Sequence, residues 1–262
     1  MTERRIAIDG VELETRWIGA AADQAPTIVM LHEGLGSVGL WHGFPEALAA
    51  RTGYGVFLYS RAGYGTSDPV SLPRPKSYLH DEARAVLPRV LDEVGFERGL
   101  LLGHSDGASI ATIYAGSHQD FRVHGLVLIA PHFFVEDVTI ASIAAAKVEY
   151  DDGDLRAKLA KHHTHVDCAF RGWNDAWLAP GFRSWDIRET IGYIRVPILI
   201  VQGSRDPYGT AAQLRAAEDE AYCPVEIRVI DGAEHAPHLE RPEETLEAVG
   251  SFIEDVGKYH GP

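Results

Sequence analysis

The sequence predicts an α/β protein with a mostly parallel sheet covered by helices on both faces, and three observations support this. Nearly continuous apolar runs at residues 26–32, 55–60, 125–130 and 196–203 have the composition of strands buried on both sides. Stretches with apolar residues at helical spacing lie between them, and strands that alternate with helices imply parallel crossovers. Residues 100–107 read Leu-Leu-Leu-Gly-His-Ser-Asp-Gly and lead into a helix-like segment, 108–117. That succession gives a strand, a sharp glycine-flanked turn and a helix, with Ser105 raised at the sheet edge.

Length and composition set the outer bounds. A chain of 262 residues holds one large α/β domain or two smaller ones, with a substantial core in either case. Hydrophobic content of 45% and charged content of 24% are ordinary globular values and exclude wholesale disorder or a fibrous protein. The net charge of −14 opposes binding to a phosphate backbone or an anionic lipid surface, so neither nucleic acid nor membrane is an expected partner. The first ten residues are charged and lack the apolar core of a signal peptide, and no stretch approaches the ~20 apolar residues that span a bilayer. A cytoplasmic location is therefore expected. Cys168 and Cys223 are the only cysteines and lack Cys-x-x-Cys spacing, which predicts free thiols, with no disulfide framework and no cysteine zinc site.

In chain order, residues 5–8 and 11–17 alternate in polarity and flank Asp9-Gly10, a two-residue hairpin signal. The buried strand 26–32 runs into His32-Glu-Gly-Leu-Gly-Ser37, where glycines let the backbone approach a ligand and turn N–H groups into a cleft. A short helix is expected at 44–51, a buried strand at 55–60 and a turn at 61–68. Residues 78–94 place Leu79, Ala83, Val86, Val90 and Leu91 on one helical side, with Pro88 set to bend it. Strand 99–102 enters the serine turn and strand 125–130 follows. From 132 to 195 the alternation stops. Residues 140–150 and 154–163 read as helical, and Phe170, Trp173, Trp177, Phe182 and Trp185 follow among glycines and prolines. This insertion is too long for an ordinary loop, so 132–195 is assigned as a cap and 1–131 with 196–262 as the core. The aromatics either glue the cap to the core or line an apolar pocket above Ser105, with Trp173, Trp177 and Trp185 the candidates for the pocket. Strand 196–203, a helix at about 210–222, strand 225–230 and a closing helix at 243–256 complete the chain.

A serine hydroxyl needs a general base in reach and a third group to fix the base's tautomer. Asp206 follows one predicted strand and His235 the next, and ligands of open parallel sheets bind at the carboxyl ends of the strands. Ser105, Asp206 and His235 are thus expected at one edge. Backbone N–H groups complete the site as donors to a developing oxyanion: that of Asp106, at a helix N-terminus, and that of Gly34 or Leu35 in the glycine-rich loop.

Along nearly its whole length the chain resembles the α/β-hydrolase superfamily. The resemblance rests on His32-Glu-Gly-Leu-Gly, Arg61-Ala-Gly-Tyr-Gly-Thr-Ser-Asp, Gly103-His-Ser-Asp-Gly, Gly203-Ser-Arg-Asp, and His235 followed by Glu240-Arg-Pro-Glu, each after a predicted strand. It implies an eight-stranded, mostly parallel sheet with the cap between the sixth and seventh strands, and a Ser105–His235–Asp206 triad needing no cofactor and no metal. The reaction implied is hydrolysis of a small carboxylic ester or related acyl compound through an acyl-enzyme. Alternatives on the same fold are a carbon–carbon bond hydrolase of a diketone-like substrate, whose Gly-Gly-Gly-Pro-type loop is missing here, and a ligand-binding receptor. Epoxide hydrolases and haloalkane dehalogenases resemble this fold with an aspartate nucleophile, which Ser105 argues against.

Other residues carry weaker expectations. The family's usual His-Gly is His32-Glu33 here, and Glu33 either faces the cleft as an acid or substrate contact or is a solvated or helix-pairing carboxylate, the commoner fate. Asp106 either complements its helix N-terminus or faces the substrate. The elbow resembles that of valacyclovir hydrolase relatives, whose aspartate recognises an α-amino group, although Ala108 replaces the final glycine. That resemblance implies aminoacyl ester or amide hydrolysis. His162, His163 and His165 lack a further ligand at a recognised metal spacing. His238 competes with His235 for the role of base, and the resemblance favours His235 through Glu240 and Pro242. His104 and His132 are expected to be hydrogen-bonded structural histidines.

Overall fold

The computed structural model describes residues 2–260. In order the elements are β1 (Thr2–Ile8), β2 (Val11–Ile18), β3 (Thr27–Leu31), α1 (Phe44–Thr52), β4 (Gly55–Tyr59), α2 (Tyr78–Asp81), α3 (Leu87–Glu93), β5 (Gly99–His104), α4 (Asp106–Ser117) and β6 (Val123–Ile129). Then come α5 (Asp137–Asp152), α6 (Leu155–Leu159), α7 (Val166–Leu178), α8 (Arg188–Ile191), β7 (Ile198–Gly203), α9 (Ala211–Glu220), β8 (Val225–Ile230), α10 (Pro237–Glu240) and α11 (Pro242–His260). The eight strands form one sheet in the order β1-β2-β4-β3-β5-β6-β7-β8. Pairing is antiparallel between β1 and β2 and between β2 and β4, and parallel from β4 across to β8.

The apolar runs are central strands because both of their faces find partners. β3, β4, β5 and β7 are buried at every position. With a two-residue period, Val29, Leu31, Leu101, Leu128 and Ile200 join the core under α3 and α4, while Ile28, Met30, Leu100, Leu102 and Val201 face Leu48 of α1 and Phe252 and Ile253 of α11. The expected bend at Pro88 takes the form of a π-helical turn, Glu82–Val86, between α2 and α3. Proline has no N–H to donate one turn back, so the ladder widens ahead of it.

Between β6 and β7 the chain makes a helical excursion. Its ends are pinned together where Phe134 bridges Asp186 and Ile187 N–H donates to Phe133 O at 2.7 Å. α5, α6 and α7 lie within it, whereas α8 packs on α4 and α9 and so belongs with the core. The aromatic stretch, given no element in the sequence reading, is largely α7, a 13-residue helix that buries Phe170, Trp173 and Trp177 on one side. Tyr150 of α5 stacks on Phe170 at 3.7 Å between ring centroids, which closes α5 against α7. The segment 154–163 is helical only as α6 and then turns, so that His163 reaches back to the core.

Candidate active site

Ser105 stands between β5 and α4 with φ 53° and ψ −113°, a conformation that L-residues rarely adopt. The neighbouring sequence explains how it is tolerated. A Cβ at Gly103 would lie 2.3 Å from Gly107 O, and one at Gly107 would lie 1.9 Å from Leu31 O, so only glycines let the turn close this tightly. Ser105 N–H donates to Ile129 O at 2.9 Å and Ser109 N–H to Ser105 O at 3.0 Å, which fixes the strained residue between sheet and helix.

Asp206 and His235 follow β7 and β8 and meet at the same edge. His235 Nδ1 lies 2.9 Å from each Asp206 carboxylate oxygen, so Nδ1–H donates to the carboxylate and leaves Nε2 free to accept a proton. Gln202 Nε2 donates to Asp206 Oδ2 at 2.7 Å and Tyr208 N–H to Oδ1 at 2.8 Å. Burial raises the Asp206 carboxyl, but His235 and the Tyr208 N–H outweigh it and hold the group below the ordinary carboxylate value. The Asp206 side chain is 2% exposed and that of His235 18%, so the acid is shielded while the imidazole meets the cleft.

Ser105 and His235 line one cavity of about 280 Å³. Glu33, Leu35, Leu40, His132, Tyr208 and the cap residues Thr139, Ile143, Leu159, Trp173 and Trp177 form its walls, and no lysine or arginine is among them. Trp185 is not brought to the cavity, contrary to the expectation for it. It stacks on Phe182 (9° between planes, 5.6 Å) and contacts Trp177, because it sits beyond the end of α7 and faces the packed base of the excursion. His238 also lies apart from Asp206, packed against Trp41 and Phe44, with burial pushing its pKa down to about 3. Two other buried histidines surround the base. His104 Nε2 donates to His235 O at 2.8 Å and ties the base's loop to the elbow. His132 lies 5.7 Å from the His235 ring and is pushed down to about 3 by burial and by His235. Neither ring nitrogen of His132 has a hydrogen bond among the described residues, so it is not the hydrogen-bonded structural histidine expected.

The two acids at the cavity differ. Glu33 is half-buried rather than solvated. One of its oxygens accepts Leu35 N–H at 2.6 Å, and burial pushes its carboxyl up. That bond occupies Leu35 N–H and leaves Gly34 as the available donor in this loop. Asp106 is fully buried. Tyr78 Oη donates to its Oδ2 at 2.6 Å, Trp177 Nε1 to its Oδ1 at 3.2 Å, and Arg61 Nη2 lies 3.9 Å from Oδ2. Burial pushes this carboxyl up against those three partners. Gly34 is needed because Trp173 packs over it, its Nε1 2.2 Å from where a Cβ would be. Among the described residues no group of three His, Cys, Asp or Glu is placed to hold a metal. Of the three clustered histidines, His163 accepts Gly65 N–H at Nδ1 (2.9 Å) and donates from Nε2 to Leu35 O (2.9 Å). Among the described residues no helix is long and apolar enough to cross a membrane.

Sequence reasoning passed over Arg61, Tyr78, Gln202 and Tyr208 as site residues. Arg61 opens the 61–68 motif, and Gln202 and Tyr208 flank the 203–206 motif. Nothing local marks Tyr78, whose role depends on what the fold brings opposite it.

The model of the Alpha/beta hydrolase family matches residues 28–248. The chain is 28% identical to a pimeloyl-[acyl-carrier protein] methyl ester esterase of Aeromonas hydrophila, over 88% of this chain and 96% of that protein. It is 24% identical to 3-oxoadipate enol-lactonase 1 of Acinetobacter baylyi, over 89% and 91%. Among solved structures, proline iminopeptidase of Mycobacterium smegmatis superposes with a TM-score of 0.77 at 18% identity, over 99% of this chain and 100% of that one. The enol-lactonase from Burkholderia xenovorans gives 0.75 at 20% identity, over 96% and 100%. At such identities these structures speak to the fold alone.

Proposed function

The chain belongs to the alpha/beta hydrolase family, and from that premise we propose that it is a cofactor-independent serine hydrolase of small carboxylic esters. Ser105 attacks the carbonyl while His235 Nε2 takes its proton, and Asp206 stabilises the imidazolium through Nδ1–H. The N–H groups of Gly34 and Asp106 bind the oxyanion, each worth roughly 10²–10³ in rate. Collapse of the tetrahedral species expels the alcohol, protonated by His235. Water then repeats the sequence on the acyl-enzyme and frees the acid. The observation that carries the reading is the His235–Asp206 hydrogen bond at the wall of the cavity that Ser105 also lines. The esterase and enol-lactonase relatives agree with ester chemistry.

The cavity sets the substrate class. About 280 Å³ suits a small acyl group, with Trp173 and Trp177 as its apolar wall and the α5–α7 part of the 132–195 insertion acting as a lid. Glu33 beside the donor loop, with no lysine or arginine on the walls, disfavours a substrate that carries its own carboxylate. Asp106 is committed to Tyr78, Trp177 and Arg61, so a substrate N–H or O–H near the carbonyl would meet Glu33 instead. The test is a panel of chromogenic esters of graded acyl length run on wild type and Ser105→Ala. Turnover of short neutral esters by wild type alone is expected. Equal hydrolysis by Ser105→Ala, or none by either, overturns the proposal.

A further inference from the structure

We infer that Arg61 is a positioning residue of the oxyanion site: it fixes the peptide that presents the Gly34 N–H and offsets the charge of Asp106, whose own N–H is the second donor. This rests on the ester-hydrolase reading above. Arg61 is 1% exposed, and neither it nor any other cation lines the cavity, so it acts through other groups and not on the substrate.

The peptide between Glu33 and Gly34 carries the first donor. Its carbonyl, Glu33 O, accepts from Arg61 Nη2 at 3.1 Å, from His32 Nδ1 at 2.7 Å and from Gly36 N–H at 3.1 Å. Arg61 Nη1 donates to the preceding carbonyl, His32 O, and Arg61 N–H donates to His32 Nε2 at 3.0 Å. The imidazole is therefore locked in the tautomer that donates from Nδ1. In a trans peptide the C=O and N–H point to opposite sides, and the only cis bond among the described residues is Leu72–Pro73. Holding Glu33 O on these three donors, two of them side chains, thus turns Gly34 N–H the other way. A glycine peptide is the kind most free to rotate, and here the side chains of Arg61 and His32 add to the turn bond from Gly36 N–H in resisting that rotation. Donation into the carbonyl also polarises the amide and strengthens its N–H as a donor.

The second donor has an electrostatic problem. Asp106 follows the nucleophile directly, and a bare buried carboxylate there would oppose the negative charge its own N–H must stabilise. Arg61 Nη2 lies 3.9 Å from Asp106 Oδ2, while Tyr78 and Trp177 supply the hydrogen bonds. One guanidinium therefore serves both donors. Its Cζ lies 5.0 Å from the Tyr64 ring centre, which helps hold its plane. Its Nε is buried without a partner. An unpaired buried donor is costly, and it marks a side chain placed for what its outer nitrogens do. The fork that spans two successive carbonyls is specific to arginine; an ammonium cannot reproduce it.

The experiment uses an ester that wild type turns over and Ser105→Ala does not, so failure of the ester-hydrolase reading shows in wild type and failure of the Arg61 role shows in the variants. Arg61→Lys keeps the charge and loses the fork. It is expected to lower kcat by about 10²-fold with KM within about threefold, and to weaken a trifluoromethyl ketone, whose adduct carries an oxyanion, by a similar factor. Because removing a buried cation can unfold the chain, a second variant, Arg61→Met with Asp106→Asn, removes both charges together. It is expected to show the same split between kcat and KM. Either folded variant with kcat within threefold of wild type overturns the inference. So does a loss carried by KM with unchanged ketone affinity.

Discussion

At the sheet edge, Ser105, Asp206 and His235 stand on turns that leave β5, β7 and β8, and two of those strands are buried along their whole length. In the excursion between 135 and 185, by contrast, Trp173 and Trp177 stand on a helix held by packing and by long-range bonds made largely by side chains. These include bonds from Trp177 to Asp106 and Tyr78, between His163 or Thr164 and the loops at Leu35 and Gly65, from Thr139 and Ser142 to the carbonyls of Tyr208 and Pro207, and from Thr210 and Gln213 to Glu136. On the proposed mechanism the edge carries the reacting groups, and the glycine-closed turn at Ser105 leaves little room for displacement. The roof shapes a space, and several of its side chains can change while the space remains. Substitutions at the edge should therefore act on kcat, and substitutions in the roof on substrate range or on stability.

The largest expected effects test the edge. Ser105→Ala and His235→Ala should each lower kcat by about 10⁴-fold or more, and the double variant should be at most a few-fold worse, because the two groups act as a unit. Asp206→Asn leaves Nδ1–H without an anionic partner and should cost about 10⁴-fold, as tautomer control is lost. Steady-state kinetics on one short ester decides all three. Full turnover in His235→Ala together with its loss in His238→Ala would reassign the base.

Next come the roof tryptophans, which should separate from one another. Trp185→Ala empties a packed site away from the cavity, so about 3–5 kcal/mol of stability should go while the acyl-length profile holds. Trp173→Ala opens the cavity wall, and kcat/KM for longer acyl chains should rise relative to the shortest one. Denaturant melts together with the ester panel read both. A Trp185→Ala variant that changes the profile, or a Trp173→Ala variant that only loses stability, would erase the distinction between lining and packing.

The same contrast governs what could be read from residues alone. Apolar runs ending in glycine-rich turns are local signals, so the sheet, the elbow and the order Ser105, Asp206, His235 were legible. α7 was not, since Gly172 and the crowded aromatics obscured its helical period, and its structure depends on Tyr150 and Phe170 stacking across two helices. Trp185 looked like Trp173 and Trp177 in the sequence and differs from them only in which way the chain turns after α7. Asp106 and Glu33 were both open choices. Tyr78 and Arg61, distant in sequence, decide the first, and the short bond to Leu35 N–H decides how the second is held.

A smaller effect should appear in the response of the edge to acid. His132 and His238 are pushed down to about 3 by burial, whereas in an unfolded chain they take up protons near pH 6.5. Their folded values lie below the unfolded ones, so the stability they contribute is complete above about pH 6.5 and is lost as pH falls towards about 3. Each should add about 1.4 kcal/mol per pH unit to the loss between pH 6 and 4.5. His238→Gln should reduce that slope by about this amount in denaturation curves taken at successive pH values. An unchanged slope would mean that His238 is already protonated in the folded chain.

The smallest expected effect lies where edge and roof meet. Glu33 belongs to the donor loop of the edge, yet its carboxyl faces the space enclosed by Trp173 and Trp177. Burial already raises that carboxyl, and a substrate carboxylate would add a second anion to a cavity with no cation on its walls. For two charges ~6 Å apart at an effective dielectric of ~40, the repulsion is ~1.4 kcal/mol, about tenfold in kcat/KM. Glu33→Gln keeps the shape and an oxygen to accept Leu35 N–H while removing the charge. The ratio of kcat/KM for a carboxylate-ended ester to that of its methyl-ended match should therefore rise about tenfold in Glu33→Gln. Because a ratio is read, a general loss of activity from disturbing the donor loop cancels. A ratio that stays at the wild-type value would show that Glu33 serves only to hold Leu35 N–H, and the discrimination would then belong to the roof.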